Sequence, residues 1–218
     1  MSYVDRQDAG RKLAQALKRF RDGDIVVLAL PRGGIVLGAE VARTLKVTLD
    51  VIGVRKIGHP FHPEYAIGAV VGENTAVYNR NESAAVDKSW LKKAEAEARE
   101  LIKKRVDLYY HEDFQPIEVN GKTVILVDDG IATGLSMQAS VRAMREQGAE
   151  RIIVAVPVAP ADSVETLKTL ADEVVVLDNP GMFLGAVGAH YQLFDQVDDE
   201  EVKALLKEVN HELQRAVA

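Results

Sequence analysis

The chain contains no cysteine among its 218 residues. Disulfide bonds and thiolate chemistry are therefore excluded, and the composition fits a reducing compartment. Long hydrophobic runs are also absent, since the longest are far shorter than the roughly 20 residues that span a membrane. The polar and charged residues 1–11 do not resemble a secretory signal. These absences predict a soluble protein of the cytoplasm.

An excess of positive charge is lacking as well. Lysine and arginine number 27 against 33 acidic residues, which gives a net charge of −6. We therefore expect neither nucleic acid nor a membrane as a partner, and a strongly anionic ligand would need a local cluster of donors. Internal repeats and low-complexity linkers are absent too. With 47% hydrophobic residues, the chain suits one α/β domain with a sizeable core.

Continuous apolar runs alternate with amphipathic segments along the chain. The runs predict strands buried on both faces at 25–30, 47–54, 123–127, 152–156 and 174–177. Helices are predicted at 5–21, 35–45, 87–111, 134–147 and 163–171, and a short hairpin at 67–71 and 75–78. This alternation predicts an α/β fold with a mainly parallel five-stranded sheet flanked by helices, which binds ligands at the carboxyl ends of its strands. We expect a single domain, with a core over about 22–178, an irregular segment over about 179–197 and a C-terminal helix over 198–216.

Two adjacent carboxylates, Asp128 and Asp129, follow the third strand. The chain then turns into a helix through residues that are mostly small or carry hydroxyl groups: Gly130, Ile131, Ala132, Thr133, Gly134, Leu135 and Ser136. Loop amides and a helix N-terminus suit a phosphate, while paired carboxylates suit sugar hydroxyls or a cation that accompanies phosphates. A helix cap would need only one carboxylate. The two other common phosphate motifs, G-x-x-x-x-G-K-[ST] and G-x-G-x-x-G after a strand, are absent.

Residues 124–136 resemble the signature of the type I phosphoribosyltransferase family: an apolar strand, two acidic residues and a small-residue loop with Thr-Gly. The resemblance implies that Asp128 and Asp129 bind the ribose hydroxyls of phosphoribosyl pyrophosphate, and that residues 130–136 bind its 5-phosphate. It further implies that residues 179–197 form a hood over the acceptor. The chain looks most similar to a broad bacterial branch of the family, so the acceptor stays open.

Further donors follow the first two strands. In the resembled family, the turn after the first strand binds pyrophosphate, and Arg32, Gly33 and Gly34 occupy that turn here. Glycine amides and a guanidinium fork suit an anion, although an ordinary turn with an exposed arginine is the alternative. Arg55 and Lys56, interpreted as the end of the second strand, would reach the pyrophosphate by the same resemblance. A solvated turn is the alternative for that pair.

Residues 57–64 contain two prolines and a glycine without periodicity, which predicts a long loop. The resemblance implies that it is a mobile lid, which would exclude water from the reaction. Glu64 is our candidate base, since Ala132 stands where hypoxanthine–guanine enzymes carry an aspartate; otherwise it is an exposed carboxylate. His59 and His62 could be read as metal ligands, but no further ligand is evident, so we expect no metal held by the protein itself.

The resemblance implies transfer of 5-phosphoribose from phosphoribosyl pyrophosphate to a nitrogenous, nucleobase-like acceptor, with Mg²⁺ brought mainly by the pyrophosphate. The catalytic roles would fall to Arg32, Lys56 and Glu64. A non-catalytic protein that binds phosphoribosyl pyrophosphate or a nucleotide is the alternative, and Arg32, Lys56 and a full lid favour chemistry over it. A sugar-phosphate hydrolase is a third class, for which no nucleophile or water-activating base is evident.

Two features are left open by the sequence. Phe183 and Tyr191 are able to stack on a planar acceptor, but packing in the core against the C-terminal helix is the preferred interpretation. The helix at 87–111 is longer than many family members have in this place. An interaction face, a dimerisation arm and simple packing are all open for it, so a homodimer is possible.

Overall fold

The computed structural model describes residues 3–110, 115–178 and 180–217. The strands are β1 (Ile25–Ala29), β2 (Leu49–Val51), β3 (Val54–His59), β4 (His62–Val71), β5 (Thr75–Tyr78), β6 (Thr123–Val127), β7 (Arg151–Val156) and β8 (Glu173–Val176). The α-helices are α1 (Arg6–Leu17), α2 (Gly34–Leu45), α3 (Arg80–Ala84), α4 (Lys88–Tyr109), α5 (Leu135–Glu146), α6 (Ala161–Lys168) and α7 (Asp199–Val217).

A five-stranded sheet lies at the centre of the fold, in the order β2-β1-β6-β7-β8. Every pair in it is parallel. Strand β1 is buried along its whole length, because helices cover both faces of the sheet. The predicted α/β fold with a parallel five-stranded sheet is confirmed.

Successive residues of each central strand enter different hydrophobic clusters, because side chains alternate between the faces of a sheet. In β1, Val27 belongs to a cluster that includes residues of α1, α2 and α7. Its neighbour Leu28 belongs to a second cluster, which includes residues of α5 and α6. The sheet therefore lies between two apolar layers. This packing on both faces fixes the position of the strand ends, where ligands are expected to bind.

A second sheet contains β3, β4 and β5, which pair antiparallel. The prediction of a long loop over residues 57–64 was wrong, since β3 and β4 occupy most of it. The sequence of these strands does not show the alternation of apolar and polar residues that identifies a strand. Residues 62–65 are all exposed, and the pairing register shifts between Ile57 and His59. The strand predicted at 47–54 is likewise two elements, β2 and the start of β3, so Arg55 and Lys56 lie within β3 rather than at the end of β2.

Helix α4 packs its apolar side against this second sheet. Ala98 and Ile102 are buried there in a third cluster, together with Ile57, Ile67 and Val70. Asp87 caps the helix by accepting a hydrogen bond from the Trp90 N–H at 2.9 Å. The predicted last residue, His111, lies outside the described residues.

The C-terminal part contains two short 3-10 turns, Pro180–Met182 and Val187–His190, before α7. Asn179, the first residue of the predicted hood, lies outside the described residues. The short helix α3 was not predicted. Within the described ranges, none of the helices combines the length and the apolar character needed to cross a bilayer.

Candidate functional site

The carboxyl ends of β1 and β6 lie side by side, where the Leu30 N–H donates to the Val127 carbonyl at 2.8 Å. The turns that follow these strands therefore leave the sheet together and form one side of a cleft of about 510 Å³. Of the predicted site residues, the cleft is lined by Arg32, Gly33, Arg55, Lys56, Glu64, Asp128, Asp129, Gly130, Ala132 and Ser136. It is also lined by Leu30, Pro31, Val54, Pro63, Ala66, Arg105 and Val187.

Glycine is needed in the turn after β1 because that turn packs directly on the acidic pair. A Cβ on Gly33 would lie 1.9 Å from Asp129 Oδ2, and one on Gly34 would lie 2.8 Å from the Val127 carbonyl oxygen. Neither neighbour is the free end of a long side chain, so a larger residue would push the turn away from the acids. Gly34 begins α2 and does not line the cleft. The peptide bond between Pro31 and Arg32 is cis.

Asp128 and Asp129 are partly exposed and face the cleft, rather than the interior of the protein. Asp128 Oδ1 accepts a hydrogen bond from the Asp129 N–H at 2.8 Å. Burial in the cleft raises the pKa of Asp128 well above its usual range, and the neighbouring carboxylate raises it further. Burial also raises the pKa of Asp129, although Arg6 acts against that rise. The pair thus has hydrogen-bond acceptors available in a site where two full charges are unfavourable.

Arg6, which the sequence reasoning missed, holds Asp129 in place. Its Nε donates to Asp129 Oδ2 at 2.8 Å, and the two side chains are only 12% and 15% exposed. Its Nη1 donates to the Asp195 carbonyl at 2.5 Å, and its guanidinium lies 3.8 Å from the centre of the Phe194 ring. One signal existed in the sequence: a cation in the first turn of a helix is opposed by the macrodipole, so it must serve a partner elsewhere.

The loop between β6 and α5 is only partly free to contact a ligand. Ile131 and Leu135 are buried in the second cluster, and the Ile131 N–H already donates to the Val158 carbonyl at 2.9 Å. Gly134 has a φ of +77°, a conformation that favours glycine, and it directly precedes α5. Ser136 lines the cleft, whereas Thr133 is exposed outside its lining. On this loop, the N-terminus of α5 and the Ser136 hydroxyl are therefore groups suited to an anion.

Cations line the same cleft as the acids. Arg32, Arg55 and Lys56 line the cleft, and none of the three has a carboxylate within 4 Å among residues 3–110, 115–178 and 180–217. Helix α4 adds Arg105, a second residue that the sequence reasoning did not identify. Glu64 also faces the cleft, from an exposed position on β4. Three cations that line one cleft without a carboxylate partner are suited to bind an anion with several charges.

The segment 180–197 packs beside the acidic pair. The Tyr191 hydroxyl donates to the Asp129 carbonyl at 2.6 Å, and Tyr191 is 7% exposed. Phe183 stacks on His190 at 5.4 Å between ring centres and packs against the first cluster. Tyr191 thus packs in the core, whereas Phe183 packs against it from a half-buried position. Val187 reaches the cleft, where it lies against Gly130.

A metal site built from the protein alone is not found in the described part of the chain. No group of three or more His, Cys, Asp or Glu side chains comes together there in a way that could hold an ion. The rings of His59 and His62 stack 5.7 Å apart near the tip of the β3–β4 hairpin. Two such ligands alone do not form a metal site of the usual kind.

Comparison with known proteins gives a consistent result. The family model of the phosphoribosyl transferase domain matches residues 4–192. The crystal structure of TT1426 from Thermus thermophilus is 44% identical and superposes with a TM-score of 0.80, covering 95% of this chain and 99% of that chain. The structure of AQ2163 from Aquifex aeolicus, with 13% identity, a TM-score of 0.50 and coverage of 79% and 73%, shares the fold.

Among curated proteins, a provisionally named phosphoribosyl transferase of Mycobacterium tuberculosis is 39% identical over 224 residues. The match covers 99% of this chain and 49% of that protein. The chain thus spans about half the length of the curated relative that it matches.

Proposed function

Because the chain belongs to the phosphoribosyltransferase family, we propose that it transfers 5-phosphoribose from phosphoribosyl pyrophosphate to a nitrogenous acceptor. In this reaction the bond from the anomeric carbon to pyrophosphate breaks, and its electron pair leaves with the pyrophosphate. The lone pair of the acceptor nitrogen forms the new bond, and the nitrogen loses a proton. The observation that carries the proposal is the cleft itself, which is lined both by an acidic pair and by three cations that have no carboxylate partner among the described residues.

The acidic pair would hold the ribose. In this proposal Asp128 and Asp129 accept hydrogen bonds from the ribose hydroxyls, while the N-terminus of α5 and the Ser136 hydroxyl bind the 5-phosphate. Negative charge on this side also favours the positive charge that develops on the sugar ring in the transition state. Arg6 and the Asp129 N–H keep the two carboxylates in position before the substrate binds.

The cations would hold the departing pyrophosphate. Arg32, Arg55 and Lys56 line the cleft, and each is expected to contribute about 2–4 kcal/mol to lowering the barrier. Mg²⁺ bound to the pyrophosphate would neutralise further charge on the leaving group. The donors present fit a cation shared with the substrate, since one of the two carboxylates is already paired with Arg6.

Glu64 is the proposed proton acceptor. It lies on β4 and is among the residues that line the cleft, as Lys56 is. A carboxylate at this position is able to accept the proton that the attacking nitrogen loses. Conversion of Glu64 to Gln would then lower kcat while leaving the affinity for phosphoribosyl pyrophosphate unchanged.

A pyrophosphate-release assay with Mg²⁺ and a panel of nitrogenous acceptors tests the function. Release that requires an acceptor supports a transferase, release without any acceptor indicates a hydrolase, and binding without release indicates the regulatory alternative. Asp128→Asn should abolish release, because it replaces one of the two acceptor oxygens with an NH2 donor and removes the negative charge. Asp22→Asn is the matched control, since the Asp22 side chain is 91% exposed and lies outside the cleft lining.

A further inference from the structure

The face of α4 that packs against the protein changes character where it reaches the cleft. Ala98 and Ile102 are buried against the second sheet, and Tyr109 is buried further along the helix. Arg105 lies seven residues after Ala98 and four before Tyr109, which places it on the same face of the helix. The Arg105 guanidinium thus occupies a position on the packed face of α4, where packing alone would favour an apolar side chain.

Arg105 is held by its neighbours rather than free in solvent. Its Nε lies 3.4 Å from Asp199 Oδ1, and the same oxygen accepts a hydrogen bond from the Tyr109 hydroxyl at 2.5 Å. Asp199 is the first residue of α7, where the helix macrodipole stabilises a carboxylate. Within the described residues, the terminal nitrogens of Arg105 make no hydrogen bond, so donors remain for a ligand.

The surroundings of Arg105 indicate which part of a ligand it would meet. Besides the main cleft, it lines a small crevice together with Pro31, Val54 and Arg55. It therefore lies beside the turn after β1 and the cationic strand β3. It does not contact the acidic pair through any hydrogen bond or ion pair.

We propose that Arg105 is a substrate-binding residue for the pyrophosphate group, and that α4 completes the anion-binding end of the cleft. This inference rests on the proposed function. With Arg105, the described cations lining the cleft are four, the others being Arg32, Arg55 and Lys56, against the three carboxylates Glu64, Asp128 and Asp129. Arg105 is paired with Asp199, but the other three cations have no carboxylate within 4 Å among the described residues, so they repel one another and an anion with several charges relieves that repulsion.

Isothermal titration of Mg²⁺-pyrophosphate and of ribose 5-phosphate into the full chain tests the proposal. Arg105→Gln is expected to weaken pyrophosphate affinity about 10- to 100-fold, because a charge-assisted hydrogen bond is lost. It should leave the affinity for ribose 5-phosphate within about twofold of the original value, since that ligand has no pyrophosphate group. Asp199→Asn, which keeps Arg105 but weakens its anchor, should give a smaller loss of the same kind.

Lys104→Gln is the matched control, because it removes one charge from the adjacent, exposed position of the same helix. Equal pyrophosphate affinities of the Arg105→Gln and Lys104→Gln proteins would overturn the inference. Arg105→Met provides a second variant with an unbranched apolar stem that suits the packed face of α4, and it should show the same loss as Arg105→Gln. If the unaltered protein binds neither pyrophosphate nor phosphoribosyl pyrophosphate, the proposed function itself is wrong. If it binds both and the Arg105 variants do so equally well, only the role of Arg105 is wrong.

Discussion

Removing Arg6 should destabilise the protein at the ligand site, although Arg6 itself does not line the cleft. Its ion pair with Asp129 is 2.8 Å long and involves two side chains that are 12% and 15% exposed. Breaking a buried pair by deleting one partner costs about 3–5 kcal/mol, because the other charge stays buried without compensation. We therefore expect Arg6→Met to lower the free energy of unfolding at pH 8 by about 3 kcal/mol. For a chain of this size that corresponds to a fall in Tm of roughly 6–12 °C.

The pH dependence of this loss gives a sharper test than its size. Arg6 lowers the pKa of Asp129, which burial otherwise raises, so its removal raises that pKa further. A raised pKa in the folded state means that the group supports stability at low pH and that this support is lost as pH rises. The difference in stability between the Arg6→Met protein and the original should therefore be largest at high pH. It should shrink as pH falls and both proteins hold Asp129 protonated.

A double-mutant cycle separates the pair from other effects of each change. Chemical denaturation of the Arg6→Met, Asp129→Asn and doubly substituted proteins should give a coupling energy of about 1.5–3 kcal/mol, as expected for a charge-assisted hydrogen bond. Lys12→Met serves as the control, since the Lys12 side chain is 44% exposed and pairs with Asp8 on the surface of the same helix. Additive effects, or a loss that does not vary with pH, would refute the reasoning.

Three further changes probe the same site. Asp128→Asn should raise Tm at pH 7, because burial and the adjacent carboxylate raise the pKa of Asp128 and make its ionised form unfavourable. In thermal melts this gain in Tm should vanish near pH 4. Titration should show that the variant has lost its affinity for phosphoribosyl pyrophosphate. Gly33→Ala should destabilise the protein by about 1–3 kcal/mol, since its Cβ would lie 1.9 Å from Asp129 Oδ2. Gly23→Ala, whose Cβ would have no neighbour nearer than 3.6 Å, should leave the same denaturation midpoint almost unchanged. Tyr191→Phe removes a hydrogen bond of 2.6 Å to the Asp129 carbonyl and should lower the free energy of unfolding by about 1 kcal/mol in chemical denaturation. An unchanged denaturation midpoint would show that this bond does not stabilise the packing of segment 180–197.

The central sheet could be predicted because its strands are apolar on both faces. Runs such as Ile25–Ala29 and Thr123–Val127 admit few other interpretations, and the carboxylates that follow β6 are adjacent in the chain. The turn Arg32-Gly33-Gly34 likewise follows directly from a buried strand. These features depend on residues that are adjacent in the chain, so a single sequence is enough to predict them.

The second sheet could not be predicted in the same way. Its hairpin is exposed along residues 62–65 and irregular in register, so the hydrophobic period is absent where the strands begin. Arg6 and Arg105 were missed for a different reason. Each reaches the site across a long separation in sequence, Arg6 to Asp129 and Arg105 to the side of Arg55, and only the packing of α1 and α4 brings them there.

The second sheet also has an apolar cluster of its own. Ile57, Ile67, Val70, Ala98 and Ile102 pack together without joining either layer of the central sheet. The other face of the hairpin is shared, because Ala66, Ala69 and Val71 of β4 belong to the second cluster together with Leu126 of β6. The hairpin that carries Arg55 and Lys56 thus borders its own cluster on one side and the central interior on the other. As a consequence, a substitution among the exposed residues 62–65 should leave that interior intact, whereas one at Ala66, Ala69 or Val71 should disturb the packing beneath the acids as well.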